Sequence, residues 1–427
     1  MEYPENVGIK AMEIYVPSQC LDQTLFEKHQ GVSAGKYTIG LGLKYMNYCT
    51  DREDVCSLAL TAVSSLLRKY DIGQKSIGRL EIGTESPIDK AKSVKSILTT
   101  LSLFNAVNWV ESRSWDGRDA IVVASDIALY NQPASRPTGG VGCVAMLVGP
   151  HAPLSLDPTL RDVYMTNTYD FYKPDFKVEF PLVHGHDSIT CYQQALDGCH
   201  KGLLRRNKTV VGSTNGDKPA ISKVLDLFDY MAFHTPNCKL VSKSYGRLRY
   251  NDLLVSSNES DWEGIPSELR KLGYEESLKD KNLERALVAV IKSRFRNLIS
   301  NIDISTAQGK TIGMFSYGSG AASALFTLRV SGDLSSMVQK IDLMSRLQKR
   351  HIGTPEEYEQ ACALRLNAYG KKSYKPVGDI ASLIPETYYL ESIDGEYRRT
   401  YLVKGDKVRA SDSGRQKVET QSIEARI

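Results

Sequence analysis

The apolar positions of this 427-residue chain fall into two rhythms. "VGIKAMEIYVP" at 7–17 alternates with period two, which predicts a strand. "VCSLALTAVSSLLRKY" at 55–70 repeats every three and four residues, which predicts an amphipathic helix. "IGRLEIGTE" at 77–85 reads as a strand closing in a turn. "AIVVASDIALY" at 120–130 reads as an apolar strand, followed by the loop "NQPASRPTGG". "VGCVAMLVGP" at 141–150 is a further buried strand. Strands alternating with helices predict an α/β layered architecture.

One stretch lacks punctuation. From Lys92 to Asp116 there is neither Gly nor Pro, and Val94, Ile97, Leu98, Leu101, Phe104 and Val107 recur at helical spacing. The pattern reads as one uninterrupted helix with its first stop at Gly117, or as two helices joined where something is missing. "RPTGGVGCVAMLVGP" and "SYGSGAASALFTLRV" echo each other as Gly-rich turns opening into small-residue apolar strands. The echo fits two related halves, although a glycine turn before a strand is common. The cluster "VVGSTNGDKPAISK" at 210–223 reads as a loop. The tail 404–427 is polar and aperiodic, so disorder is expected there.

Composition narrows the class. The hydrophobic fraction is 41%, and 54 basic residues face 50 acidic ones for a net charge of +4. Charge therefore gives no case for a nucleic-acid partner. The eight cysteines form no CxxC pair, which suits reduced thiols in the cytoplasm. No run reaches the ~18 apolar residues of a membrane span, and "MEYPENVGIKAMEIYVP" resembles no targeting peptide. A soluble cytoplasmic protein is expected.

Candidate chemistry is scattered. Glu85 ends a predicted strand, where an α/β protein opens its cleft, or is a solvated turn residue. His234, in "YMAFHTPNCKLVSKS", precedes a Thr-Pro pair that can start a helix; a lone histidine is often structural. Lys239 and Lys243 stand four apart and would share a helix face suited to phosphate or simply to water. "FSYGSG" at 315–320 offers backbone amides and two serines, an oxyanion hole or anion nest in outline. "SAGKY" at 33–37 brings Lys36 to a loop that Gly35 lets approach a ligand. Cys143 lies within an apolar strand and reads as a small hydrophobe, as do Cys191, Cys199 and Cys238. No metal-ligand spacing is present, and no metal is expected.

Taken in order, "SAGKYTIGLG", "TDREDV", "RLEIGTE", "DKAKSVK", "FNAVNWVESRSWDG", "RPTGG", "DFYKP", "FHTPNCKLVSKS" and "FSYGSG" resemble eukaryotic hydroxymethylglutaryl-CoA synthase. The resemblance runs from about residue 7 to "RRTY" near 401. It implies a thiolase-like α/β fold of two similar halves, 7–155 and 156–403, commonly a homodimer. It implies an acyltransferase of the mevalonate route to sterols and other isoprenoids. Acetyl-CoA and acetoacetyl-CoA are joined to hydroxymethylglutaryl-CoA and free CoA, with no cofactor beyond these thioesters. In the family a cysteine takes the acetyl group, a glutamate removes a methyl proton, and the carbon attacks acetoacetyl-CoA. The resemblance makes Glu85 the acid/base and His234 the group that polarises the acetoacetyl carbonyl. It assigns CoA contacts to Ala34, Lys36, Lys239 and Lys243, and substrate contacts to Thr138, Ser188 and Ser319.

The departures matter as much. The family's "NACYGG" segment, which carries the nucleophile, has no counterpart near 101–103, and no cysteine occurs between Cys56 and Cys143. A second gap near 295–310 removes the segment whose Asn contacts substrate, and Ser33 and Ala134 replace the family's Asp and Asn. By the resemblance both missing segments belong to the family's core layers, and removing a central strand leaves a cavity and unpaired backbone groups, so strain or local disorder near Leu101 is expected. Cys143 makes a poor substitute because it lacks an exposing turn. Impaired condensation is therefore expected. The alternatives are a silent CoA-ester-binding or heterodimerising member, and a splice or gene-model variant of an active synthase.

Overall fold

A computed structural model describes residues 3–88, 99–175, 177–213, 223–295 and 306–405. Eight strands form its main sheet: β1 (Gly8–Tyr15), β2 (Ile77–Gly83), β3 (Asp119–Ala128), β4 (Gly140–Gly149), β5 (Leu154–Met165), β6 (Tyr230–Phe233), β7 (Thr311–Gly318) and β8 (Ala322–Val330). They hydrogen-bond in the order β6-β7-β8-β5-β1-β4-β3-β2. The strands predicted from alternation and apolar runs are β1 to β4, displaced by a residue or two at their ends.

The sheet is two copies of one pattern. In the first half β2 is parallel to β3, β3 antiparallel to β4, and β4 antiparallel to β1. In the second half β6 is parallel to β7, β7 antiparallel to β8, and β8 antiparallel to β5. β1 and β5 join the halves through Gly8 opposite Ser155 and Ile9 opposite Leu154. The two echoing segments are β4 and β8, which hold equivalent places. Among the described residues the eight strands form one continuous hydrogen-bonded ladder.

Helices cover both faces. α1 spans Gln23–His29, α2 Val55–Lys69, α3 Thr99–Val110, α4 Gly185–Ser213, α5 Cys238–Val255, α6 Lys281–Phe295 and α7 Pro355–Ala368. The Asp54 carboxylate caps α2 by accepting from Cys56 N at 3.0 Å and Ser57 N at 2.9 Å. That helix then buries Leu58, Ala62 and Leu66 with Ile121 and Val123 of β3. On the other face α3 buries Phe104, Val107 and Val110 with Val122, Val148 and Phe326. The Phe104 and Phe326 rings meet edge-on at 5.3 Å. Each such side chain contributes roughly 1.5–3 kcal/mol on leaving water.

Only the C-terminal part of the predicted long helix falls within the described residues, because 89–98 lie outside them. Leu101 is helical. The helix ends at Val110, short of Gly117, because Ser112 N and Oγ both donate to Trp109 O, at 3.0 and 2.8 Å, and turn the chain. Residues 210–213 of the expected loop instead belong to α4, a correction to that reading, while residues 214–222 of it, 296–305 of the second gap and 406–427 of the tail lie outside the described set. Among the cysteines, Cys143 and Cys199 are buried as expected, Cys191 is half-buried, and Cys238 is exposed at the start of α5. The reading of Cys238 as a core hydrophobe is thereby corrected: in the first turn Leu240 is the residue that enters the core, while Cys238 and Lys239 are exposed. Among the described residues no helix is long and apolar enough to cross a membrane, and no cluster suits a metal ion.

Candidate active site

A cavity of about 1040 Å³ opens where the two halves meet, lined by Glu85, Thr138, Ser188, His234 and Ser319. The repeated topology explains their convergence. Glu85 follows the end of β2, and His234 follows the end of β6, the equivalent strand. Thr138 lies in the turn before β4, and Ser319 in the turn before β8. Each half thus supplies one group from its outer strand and one from its β-turn. These ends are where open α/β sheets place ligands.

Glu85 is held on several sides. Ser319 N donates to its Oε1 at 2.9 Å. Its own backbone N donates to Asp126 Oδ1 at 2.6 Å, and Lys173 Nζ donates to its carbonyl at 3.1 Å. Burial pushes its carboxyl pKa up and the nearby Asp170 adds to this, against the Ser319 hydrogen bonds and the Lys173 charge; the net direction is up. Asp126 is driven from 3.8 to about 6, first by burial and then by the Glu85 charge. Asp170 shapes the opposite turn, accepting from Tyr317 Oη at 2.6 Å and Gly320 N at 2.9 Å.

His234 sits deep among protein atoms, which pulls its pKa down to about 4. The residue is nevertheless exposed where it lines the cavity, which tempers the lowering, and the imidazole is neutral at pH 7. Tyr192 Oη donates to the His234 carbonyl at 2.9 Å, and His234 N donates to Phe315 O at 2.7 Å, so the backbone is fixed. A neutral imidazole can donate to a developing oxyanion while a carboxylate of raised pKa carries a proton.

The other expected contacts lie outside the cavity. Lys239 and Lys243 do share a face, lining a groove of about 750 Å³ with Lys281 and Arg285. Lys243 is paired to Glu284 at 2.8 Å. Ala34 and Lys36 are exposed on their loop and line neither space. The "SAGKY" amides expected to meet a ligand are instead taken by the Glu27 carboxylate, which accepts from Gly35 N at 2.8 Å and Tyr37 N at 2.6 Å. None of the eight cysteines lines the cavity. Sequence reasoning passed over Asp126, Asp170 and Lys173. A charge inside the apolar run "AIVVASDIALY" was the available signal for Asp126.

The mirrored sheet with a cleft at its strand ends defines a thiolase-like enzyme of the acyl-condensing class. Two solved structures share it. One is described as MvaS in complex with 3-hydroxy-3-methylglutaryl coenzyme A, at TM-score 0.72 and 28% identity over 94% of this chain and 99% of that one. Another, described as HMG-CoA synthase complexed with CoA, aligns at TM-score 0.66 and 20% identity over 93% of this chain and 100% of that chain.

The chain belongs to the hydroxymethylglutaryl-coenzyme A synthase family. The family's N-terminal model matches residues 3–102 and 99–153, and its C-terminal model matches 154–302 and 291–404. A hydroxymethylglutaryl coenzyme A synthase of Fusarium sp is 69% identical over 455 positions, covering 95% of this chain and all of the relative. The hydroxymethylglutaryl-CoA synthase of Saccharomyces cerevisiae is 44% identical over 94% of this chain and 91% of its own. Since 95% of 427 residues is about 406, about 49 of the 455 aligned Fusarium positions face no residue here. Both family matches break and restart with overlapping ends, at 99–102 and at 291–302.

Proposed function

We propose that this chain binds coenzyme A thioesters but does not complete the condensation of acetyl-CoA with acetoacetyl-CoA. The observation that carries this reading is a cavity with acid/base and oxyanion groups but no thiol along its walls. Glu85 moves the proton and His234 donates to the carbonyl oxygen. Thr138, Ser188 and Ser319 contact the acyl portion, and Lys239, Lys243, Lys36 and Ala34 meet the CoA handle. Acetyl transfer would break the acetyl carbon's bond to CoA sulfur and make one to a protein nucleophile. No cysteine stands where that bond could form. Substrates are thioesters alone, without metal or other cofactor. The protein works in the cytoplasm as a homodimer, and each protomer comprises halves 7–155 and 156–403.

The test uses the full chain and acetyl-CoA labelled in its acetyl group, followed by denaturation. No label stays on the protein, while calorimetry registers CoA binding. Retained label overturns the impairment, and absent CoA binding overturns the ligand.

A second reading explains how the chain arose. The overlapping ends of both family matches favour two clean internal losses by splicing or gene modelling. Sequencing the transcript across codons 95 to 110 distinguishes them: the same junction in abundant messages excludes an artefact.

A further inference from the structure

α1 carries two buried polar side chains one turn apart, Gln23 at 0% exposure and Glu27 at 3%. Residues four apart lie on one helix face. Glu27 reaches the loop that bears Ala34 and Lys36. Its carboxylate accepts from the backbone N of Gly35, Tyr37 and Thr38 at 2.8, 2.6 and 2.8 Å, and from Thr38 Oγ1 at 3.1 Å. Gln23 reaches the turn that bears Thr138: its Nε2 donates to Pro137 O at 3.0 Å. Between them Phe26, fully buried, lies 5.4 Å from the Arg136 guanidinium, which is paired to Glu359 of α7 at 2.7 Å. The first loop also touches the lysine groove, because Lys239 N donates to Leu41 O at 3.1 Å.

Three converging amides are an anion nest, and here the protein fills it with its own carboxylate. Buried charge-assisted hydrogen bonds of this kind are strong and directional. They fix the backbone between Gly35 and Thr38, and with it the origin of the Lys36 side chain. A single short helix therefore holds, from one face, both a loop on the groove side and a turn on the cavity side.

We propose that Glu27 and Gln23 are positioning residues, and that α1 sets the separation between the Lys36 loop and the Thr138 turn. That separation is the registration of a thioester's CoA handle against its acyl end. The inference rests on the thioester-binding reading above. It assigns no chemical step to either side chain.

A thermodynamic cycle on the full chain, with coenzyme A as the probe, tests it. By calorimetry, Glu27→Gln weakens CoA binding about tenfold in the otherwise unchanged protein. In a Lys36→Ala background the same change weakens it by less than about twofold, because the contact it orients is already gone. A full tenfold loss in both backgrounds would reveal a general structural effect and overturn the proposal. Amide hydrogen exchange supplies a readout without ligand. In the Glu27→Gln variant Gly35, Tyr37 and Thr38 exchange faster while β1 and β4 do not. Unchanged exchange at those three amides also overturns it. If the unmodified chain binds no CoA, the thioester reading fails by itself. The exchange measurement still decides whether Glu27 holds the loop.

Discussion

Asp126→Asn is expected to stabilise this protein at alkaline pH and to do so much less in acid. Asp126 lies on β3 with its Oδ1 accepting from Glu85 N at 2.6 Å and Thr84 Oγ1 at 3.0 Å. Burial and the Glu85 charge move its pKa from 3.8 to about 6. A raised carboxyl pKa means that the folded state binds the proton more tightly than the unfolded one. Folding is therefore unopposed by this group below about pH 3.8, opposed increasingly between 3.8 and 6, and opposed fully above 6. At roughly 1.4 kcal/mol per pH unit, the opposition reaches about 3 kcal/mol at pH 8 and about 1 kcal/mol at pH 4.5. Asparagine keeps an oxygen to accept both hydrogen bonds and removes the charge. With an unfolding entropy of about 2.1 cal/mol/K per residue, 3 kcal/mol is worth about 3 °C in a chain of this size. Scanning calorimetry at pH 8 and pH 4.5 is the assay. A lower Tm for the variant at pH 8, or the same increment at both pH values, would refute the reasoning.

Three further outcomes follow from the surroundings of single side chains. Asp197→Ala strands Arg247, whose Nε and Nη2 it meets at 2.9 and 2.7 Å inside the α4–α5 contact, and should cost about 3–5 kcal/mol in denaturant unfolding. Timed alkylation with peptide mass spectrometry should modify exposed Cys238 well before Cys143, whose thiol burial pushes up to about 12; simultaneous labelling would contradict the β4 placement. The His234 imidazole should titrate by NMR with a midpoint below 6.5, and a midpoint at or above 6.5 would mean that burial does not govern its ring.

Period and punctuation made the first half's scaffold legible. Alternation marked β1, and apolar runs bounded by Gly marked β3 and β4. The echo between "RPTGGVGCVAMLVGP" and "SYGSGAASALFTLRV" survives as β4 and β8 in matching positions. Period could not show that Ser112 turns α3 off before Gly117, since side-chain-to-backbone bonds leave no mark on hydrophobic spacing. Nor could it show that the "SAGKY" amides belong to Glu27, because the carboxylate comes from a preceding helix and no local rule links them. Glu85 was visible at the end of a predicted strand and His234 ahead of a helix start, although not at the strand end it occupies. Asp126, Asp170 and Lys173 became part of the site only once distant segments met.

The repeated topology also shows where the two interruptions of the family match fall in the sheet. The first break in the family match falls between β2 and β3, and the second between β6 and β7. These are the two parallel pairs of the sheet, and they occupy equivalent places in the two halves. A parallel pair needs a crossover of a dozen or more residues, and any surplus beyond that is free to vary. Residues 84–118 and 234–310 still exceed that minimum, so each crossover can shorten without unpairing a strand. Glu85 and His234 stand at the start of their crossovers, next to the strands that hold them, and stay in place. A nucleophile carried further along the first crossover has no such anchor in the ladder. On the proposed reading, a shorter crossover would lose what hangs from its middle while the strand-end groups and the inter-strand turns keep their geometry.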